Sequence, residues 1–176
     1  MIRIKDKEFV PFIGKEAIEE RIKFLAEQIS EEYANRTPLF IAILNGSFMF
    51  AADLLKKINI DCELCFIRVK SYENLQSSGS VKQLIGLDKN IRSRDIVVVE
   101  DIIDTGLTMK EIIKELRILQ PKSIKIASLL SKPTAHQTPI DIDFIGFEIE
   151  DKFVIGYGLD YDEMGRNLEE ILVLNE

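Results

Sequence analysis

The sequence predicts an α/β domain built on a mostly parallel central sheet, and three observations carry that prediction. Strand, glycine turn and helix follow one another twice, over residues 39–58 and again over 96–119. The strand segments are continuous apolar runs rather than alternating ones, the pattern of strands covered on both faces. The helical segments between them are amphipathic, so each has one face to lay against a sheet. With 176 residues, one domain over 1–176 can bury roughly two-thirds of the surface its unfolded chain exposes.

Taken in order, residues 15–35 place Ile18, Ile22, Leu25, Ala26, Ile29 and Tyr33 on one helical stripe, and Pro38 stands beyond its end. L-F-I-A-I-L at 39–44 is the first buried strand, and N-G-S turns the chain into a second helix over 48–58. Residues 64–69 and 81–87 read as two strand arms, antiparallel if joined directly, around the polar stretch N-L-Q-S-S-G-S at 74–80. A plain surface loop has this composition, and so does a loop that closes over a ligand. I-V-V-V at 96–99 leads through D-T-G into a helix with Ile112, Ile113, Leu116 and Leu119 along one face, which Pro121 ends. Apolar runs at 124–130 and 144–149 supply two more strands, and no repeat or interdomain linker interrupts the series.

Composition narrows the partners. Apolar residues at 46% and charged residues at 30% describe a globular chain, and no apolar stretch reaches membrane-span length. The opening M-I-R-I-K-D-K-E has no signal-peptide core, so a cytoplasmic location is expected, without membrane association. A formal net charge of −7 disfavours broad nucleic-acid binding, which needs a basic face. A small anionic ligand remains compatible, because backbone amides, a few cations and a divalent metal hold phosphate inside acidic proteins. Cys62 and Cys65 form a C-x-x-C, but in a strand residues three apart point to opposite faces, and one His leaves few further metal ligands. Buried thiols are the expectation, with metal or redox use as the alternative.

The chemistry concentrates in V-V-V-E-D-I-I-D-T-G-L-T at 97–108, where carboxylates follow a buried run without a spacer. In parallel sheets ligands bind beyond the carboxyl ends of the strands, and Glu100 and Asp101 stand at that edge. The bland alternative has Asp104 capping the next helix and the other acids in solvent. The whole string offers more. Thr105, Gly106, Leu107 and Thr108 present amides and hydroxyls at a helix N-terminus, a cradle for phosphate without a lysine. Two adjacent acids beside it suit a vicinal diol or Mg²⁺, so phosphate, diol and metal together point to a ribose 5-phosphate. Asp-Thr-Gly after an apolar pair also occurs in aspartic proteases, but those draw two such aspartates from β-rich lobes, whereas here a helical pattern follows.

V-V-V-E-D-I-I-D-T-G-L-T-M resembles the phosphoribosyl diphosphate (PRPP) motif of the purine phosphoribosyltransferases, specifically the hypoxanthine-guanine branch. L-N-G-S-F-M-F-A-A-D-L, K-S-Y with a downstream S-S-G, S-L-L-S-K, and G-F-E-I-E-D-K-F-V-I-G-Y-G-L-D-Y extend the resemblance in family order across residues 40–166. It implies a type I phosphoribosyltransferase fold: a central sheet flanked by helices, with a small hood from about residues 1–15 and 150–176 and a flexible lid loop at about 71–82. The implied activity is Mg²⁺-dependent transfer of the 5-phosphoribosyl group from PRPP to N9 of a 6-oxopurine, giving IMP or GMP and pyrophosphate. A PRPP-binding regulator of the same fold without catalysis is the alternative.

Residue by residue, the resemblance implies that Glu100 and Asp101 hold the ribose hydroxyls, in part through magnesium, and that Asp104 faces purine N7 as general acid or base. Thr105, Gly106, Leu107 and Thr108 cradle the 5′-phosphate. Lys132 reaches purine O6, since an ammonium donates to a carbonyl but accepts nothing from an amino group. Phe153 stacks on the base, the Val154 backbone reads its edge, and Asp160 lines the purine site and holds a second Mg²⁺. Asn45, Gly46 and Arg166 meet pyrophosphate, while Ser71 and Tyr72 belong to the lid. The resemblance also implies a cis peptide at the 44–46 turn and a homodimer or homotetramer. Two departures stand out: Asn45 occupies a place where many relatives carry Lys or Arg, and Glu73 one where many bacterial relatives carry Gly.

Overall fold

The computed structural model describes residues 1–72 and 81–175 of the chain. Ten strands and three helices follow in the order β1 (Ile2–Ile4), β2 (Lys7–Ile13), α1 (Lys15–Glu32), β3 (Leu39–Ile43), α2 (Phe48–Lys57), β4 (Glu63–Tyr72), β5 (Val81–Ile85), β6 (Asp95–Ile103), α3 (Leu107–Ile118), β7 (Ser123–Ser131), β8 (Phe144–Glu148), β9 (Val154–Ile155) and β10 (Ile171–Leu174). A short 3₁₀ turn at Pro133–Ala135 follows β7.

The larger sheet has the order β5-β4-β3-β6-β7-β8. Its five strands from β4 to β8 are parallel, and β5 joins the edge antiparallel to β4. Both faces are covered. On one, Ile18, Ile22, Leu25 and Ile29 of α1 and Phe50 and Leu54 of α2 pack on Phe40, Ala42, Val97 and Val99. On the other, Met109, Ile112 and Leu116 of α3 pack on Ile41, Ile96 and Val98. Successive residues of β3 and β6 thus serve opposite layers, which is why both strands read as uninterrupted apolar runs.

A second, antiparallel sheet has the order β1-β2-β10-β9 and draws on both ends of the chain. Ile4, Phe9, Ile155 and Leu172 form its small core. β1, β9 and β10 have 3, 2 and 4 residues, and β2, with 7, carries Pro11 and no clean alternation, so none is marked in the sequence.

Three boundaries differ from the sequence reading. β6 does not stop at Val99: it runs on to Ile103 because β7 continues beside it, pairing Glu100 with Ser128 and Ile102 with Leu130. The predicted helix over 15–35 closes at Glu32, and Asn35 turns left-handed with φ 61°. β4 extends beyond the predicted 64–69, through Ser71 and Tyr72, whose backbones pair with Lys82 and Val81. The chain between, residues 73–80, holds Glu73 and most of the expected lid and lies outside the described residues.

Candidate active site

β3 ends first, and that vacates one flank of β6. The last pairing between them is Ala42 with Val99, after which β6 is held only by β7. On the free flank the chain leaves β3 and forms the 44–47 loop, whose Leu44–Asn45 peptide is cis. This loop is packed from two sides. A Cβ on Gly46 would fall inside the Asp101 carboxylate, and a Cβ on Gly158 would fall on the Gly46 carbonyl. Glycine is needed at both positions for backbone to approach this closely.

Glu100 and Asp101 form an acidic pair at the edge. The Glu100 carboxylate accepts the Asp101 amide at 3.2 Å. Burial, then the neighbouring Asp101 charge, pushes the Glu100 carboxyl well above the usual range. Among the described residues neither acid has a cationic side-chain partner within salt-bridge distance, and no cluster of three or more His, Cys, Asp or Glu forms a metal cage.

Beyond the strand, Gly106 caps α3 in the left-handed region with φ 78°. The Thr105 hydroxyl accepts the Leu107 amide at 3.4 Å. Asp104 therefore does not cap the helix, and the bland reading of that residue fails. A cavity of about 110 Å³ opens here, lined by Glu100, Ile102, Ile103, Asp104, Thr105, Gly106, Thr108 and Met109. It lies at the positive end of α3. A larger groove of about 630 Å³ lies between α3, β7 and residues 139–143, among Lys110, Lys114, Arg117 and Asp141, and none of its lining residues is one the sequence nominated for the site.

Asp104 is engaged by Lys132. The end of β7 is fixed beside β6 by the Lys132 amide, which donates to the Ile103 carbonyl at 2.9 Å. The Lys132 ammonium then bonds Asp104 at 3.0 Å and Asp151 at 3.2 Å. With 6% of its surface exposed, Lys132 is not the solvated lysine that its place after a strand would suggest. Asp151 was not foreseen, since only the fold brings it to Lys132.

Phe153 is no core phenylalanine: it is 43% exposed. Its ring meets Tyr161 edge-on at 5.9 Å and Phe9 at 6.3 Å, with the Lys7 ammonium 5.7 Å from its centre. Val154 is buried and pairs with Val173 across the small sheet. Asp160 and Arg166 bind each other at 2.7 Å, the second carboxylate oxygen accepts the Glu163 amide at 2.8 Å, and Arg166 also donates to the Gly158 carbonyl at 2.9 Å. The Asp160–Arg166 pair is thereby joined to the residue that abuts Gly46.

At Asn45, where the sequence lacks the loop cation, Arg68 of β4 donates to the side-chain carbonyl at 2.5 Å. Sequence reading missed Arg68; the only signal was a charged residue within the apolar run 64–69. Ser71 and Tyr72 stand further along the same strand, and only their backbone positions are described. The two cysteines belong to different packing layers. Cys62 packs toward the α1/α2 core and Cys65 toward the α3 side, both are free thiols, and burial pushes both upward.

The chain as a whole resembles known proteins. The phosphoribosyl transferase domain model matches residues 13–162. The chain is 45% identical over 163 residues to the hypoxanthine-guanine phosphoribosyltransferase of Bacillus subtilis, covering 92% of this chain and 91% of that one. It is 38% identical to the protein of the same name from Aquifex aeolicus, covering 100% of both. A crystal structure of the hypoxanthine phosphoribosyltransferase of Staphylococcus aureus superposes with a TM-score of 0.88 at 35% identity, covering 97% of this chain and 92% of that one. The chain belongs to the phosphoribosyltransferase family, on its hypoxanthine-guanine branch.

Proposed function

We propose that this protein transfers the 5-phosphoribosyl group of PRPP to N9 of hypoxanthine or guanine, releasing pyrophosphate and forming IMP or GMP in purine salvage. The observation that carries this reading is the ion pair between Lys132 and Asp104, a residue that lines the small cavity. A 6-oxopurine presents N7 and O6 side by side on one edge, both acceptors in the neutral base. A carboxylate and an ammonium in contact suit that edge when N7 carries a proton. Lys132 donates to O6, and Asp104 holds or moves the proton at N7. An aminopurine offers a donor where Lys132 needs an acceptor, which is the basis of selection.

The remaining residues divide the substrate between them. The α3 N-terminus with Thr105, Gly106, Leu107 and Thr108 takes the 5′-phosphate, and Glu100 and Asp101 take the ribose hydroxyls. Gly46, Asn45 and Arg166 face the pyrophosphate, with Arg68 supplying the cation that Asn45 lacks. Phe153 stacks on the base, its ring steadied by Phe9 and Tyr161, with the Val154 backbone at the base edge. Segment 71–82 excludes water during transfer, under a hood formed by 1–15 and 150–176.

Mg²⁺ fits the donor set. Glu100 and Asp101 are adjacent carboxylates with no cationic side chain in salt-bridge range among the described residues, and Mg²⁺ is commonly held by one or two carboxylates together with substrate oxygens and water. Asp160 is the candidate for a second ion, released from Arg166 when pyrophosphate is present. When bound, the metal neutralises charge on the departing pyrophosphate. A cytoplasmic homodimer or homotetramer completes the reading; among the described residues no helix is long and apolar enough to cross a membrane. The non-catalytic regulator is disfavoured, since Asp104 and Lys132 are both retained and paired. Incubation with PRPP, Mg²⁺ and hypoxanthine or guanine tests the proposal. Release of pyrophosphate with nucleotide formation is expected, and absence of turnover with both bases from folded protein would reject it.

A further inference from the structure

Tyr157 carries a hydroxyl that the proposed chemistry does not use, yet the fold holds it from several sides. It lies between Gly156 at φ 92° and Gly158 at φ 100°, and is itself left-handed at φ 49°. An aromatic L-residue rarely takes that left-handed conformation without compensating contacts. The compensation is visible. Its amide donates to the Leu168 carbonyl at 2.9 Å, its ring is 5% exposed within the α1/α2 core, and its hydroxyl donates to the Asp53 carboxylate on α2. Lys56 holds the other oxygen of Asp53 at 2.5 Å.

The two ends of this bond lie on the two walls of the pyrophosphate region. α2 is the direct continuation of the 44–47 loop: the Ala51 amide donates to the Ser47 carbonyl at 2.8 Å and the Phe48 amide to the Asn45 carbonyl at 3.4 Å. Tyr157 immediately precedes Gly158, whose Cα rests against the Gly46 carbonyl and whose own carbonyl is held by Arg166. Asp101, Gly46, Gly158 and Arg166 therefore form one contiguous stack. The tyrosine hydroxyl fastens that stack to α2 from behind.

We propose that Tyr157 and Asp53 are positioning residues that set the spacing between the 44–47 loop and the 158–166 segment, and through it the affinity for the pyrophosphate part of PRPP. Neither touches substrate. The inference rests on the assignment of this region to pyrophosphate made above. It predicts a selective effect, since the α3 cradle and the Asp104–Lys132 pair follow the ends of β6 and β7 and make no contact with this bond.

The test is calorimetric titration of wild type and Tyr157→Phe with PRPP plus Mg²⁺ and, separately, with IMP, which has no pyrophosphate. Loss of a hydrogen bond to a charged acceptor predicts about five- to twentyfold weaker PRPP binding, with IMP affinity changed less than about twofold. Asp53→Asn, which keeps an acceptor oxygen, should bind PRPP more tightly than Asp53→Ala. Ile96→Ala, at the opposite end of β6, serves as the destabilised control and should leave PRPP affinity unaltered. Equal weakening of PRPP and IMP in Tyr157→Phe, or unchanged PRPP binding, would overturn the positioning role. Binding by wild type without product formation would reject the transferase reading alone, leaving the affinity comparison decisive for Tyr157.

Discussion

Lys132 holds two carboxylates at once, and the two have different consequences. Its contact with Asp104 sets the donor proposed for O6 beside the group proposed for N7, while Asp151 gives the ammonium a second carboxylate partner at 3.2 Å. Lys132→Ala should raise the KM for hypoxanthine by about tenfold or more, in keeping with the 1.5–3 kcal/mol of a charge-assisted hydrogen bond, and leave the KM for PRPP nearly unaltered. Steady-state kinetics with each substrate varied separates the two; equal losses would remove Lys132 from the base site. Asp104→Asn keeps the shape of the side chain but cannot take a proton. It should lower kcat by roughly 10²- to 10⁴-fold, the usual contribution of a positioned acid or base, with PRPP binding retained by calorimetry.

At the scale of elements, the site exists because neighbouring strands have unequal lengths. β3 stops at Ile43 while β6 runs to Ile103, and the loop after β3 folds back against the exposed flank. Gly46 is the contact between them, and Gly46→Ala would force the loop off Asp101. A displacement of that kind costs reactivity steeply, and a loss of about 10²-fold in kcat/KM for PRPP is expected by steady-state assay. The far end of β6 is anchored differently. Asp95, 8% exposed, accepts from Ser123 at 2.6 Å and Lys122 at 3.2 Å and lies 3.6 Å from Arg36. Burial raises its proton affinity, but Ser123, Lys122 and Arg36 outweigh it and hold the carboxyl below its ordinary value. The folded state thus binds this proton less readily than the unfolded chain. The stabilisation is present above the unfolded pKa of about 3.9 and is lost as pH falls through the lower folded value. Denaturant unfolding should find Asp95→Asn less stable than wild type by about 1–2 kcal/mol near neutrality, with the gap closing in acid.

At the scale of the whole molecule, what could be read from the sequence follows contact range. The strand–turn–helix around Glu100 to Thr108 was legible because every part of it is contiguous, and the buried runs of β3, β6 and β7 announced a sheet covered on both faces. The four strands of the smaller sheet were not, because three of them are short, β2 does not alternate cleanly, and the sheet joins the two ends of the chain, as Leu174 does with Phe9. The same holds within the site. Asp151 beside Lys132, Arg68 beside Asn45 and Asp53 beside Tyr157 are side-chain pairs between separate elements, with no spacing to betray them. Even the end of β6 was misjudged because its last residues are strand by virtue of β7 rather than of their own composition.

The central claim is that Asp104 and Lys132 together read the N7–O6 edge of a 6-oxopurine. A crystal structure with IMP bound tests it most directly. Asp104 within hydrogen-bond distance of N7 and Lys132 within the same distance of O6, the 5′-phosphate lying at the start of α3, is the predicted result. A base seated away from both side chains would contradict it.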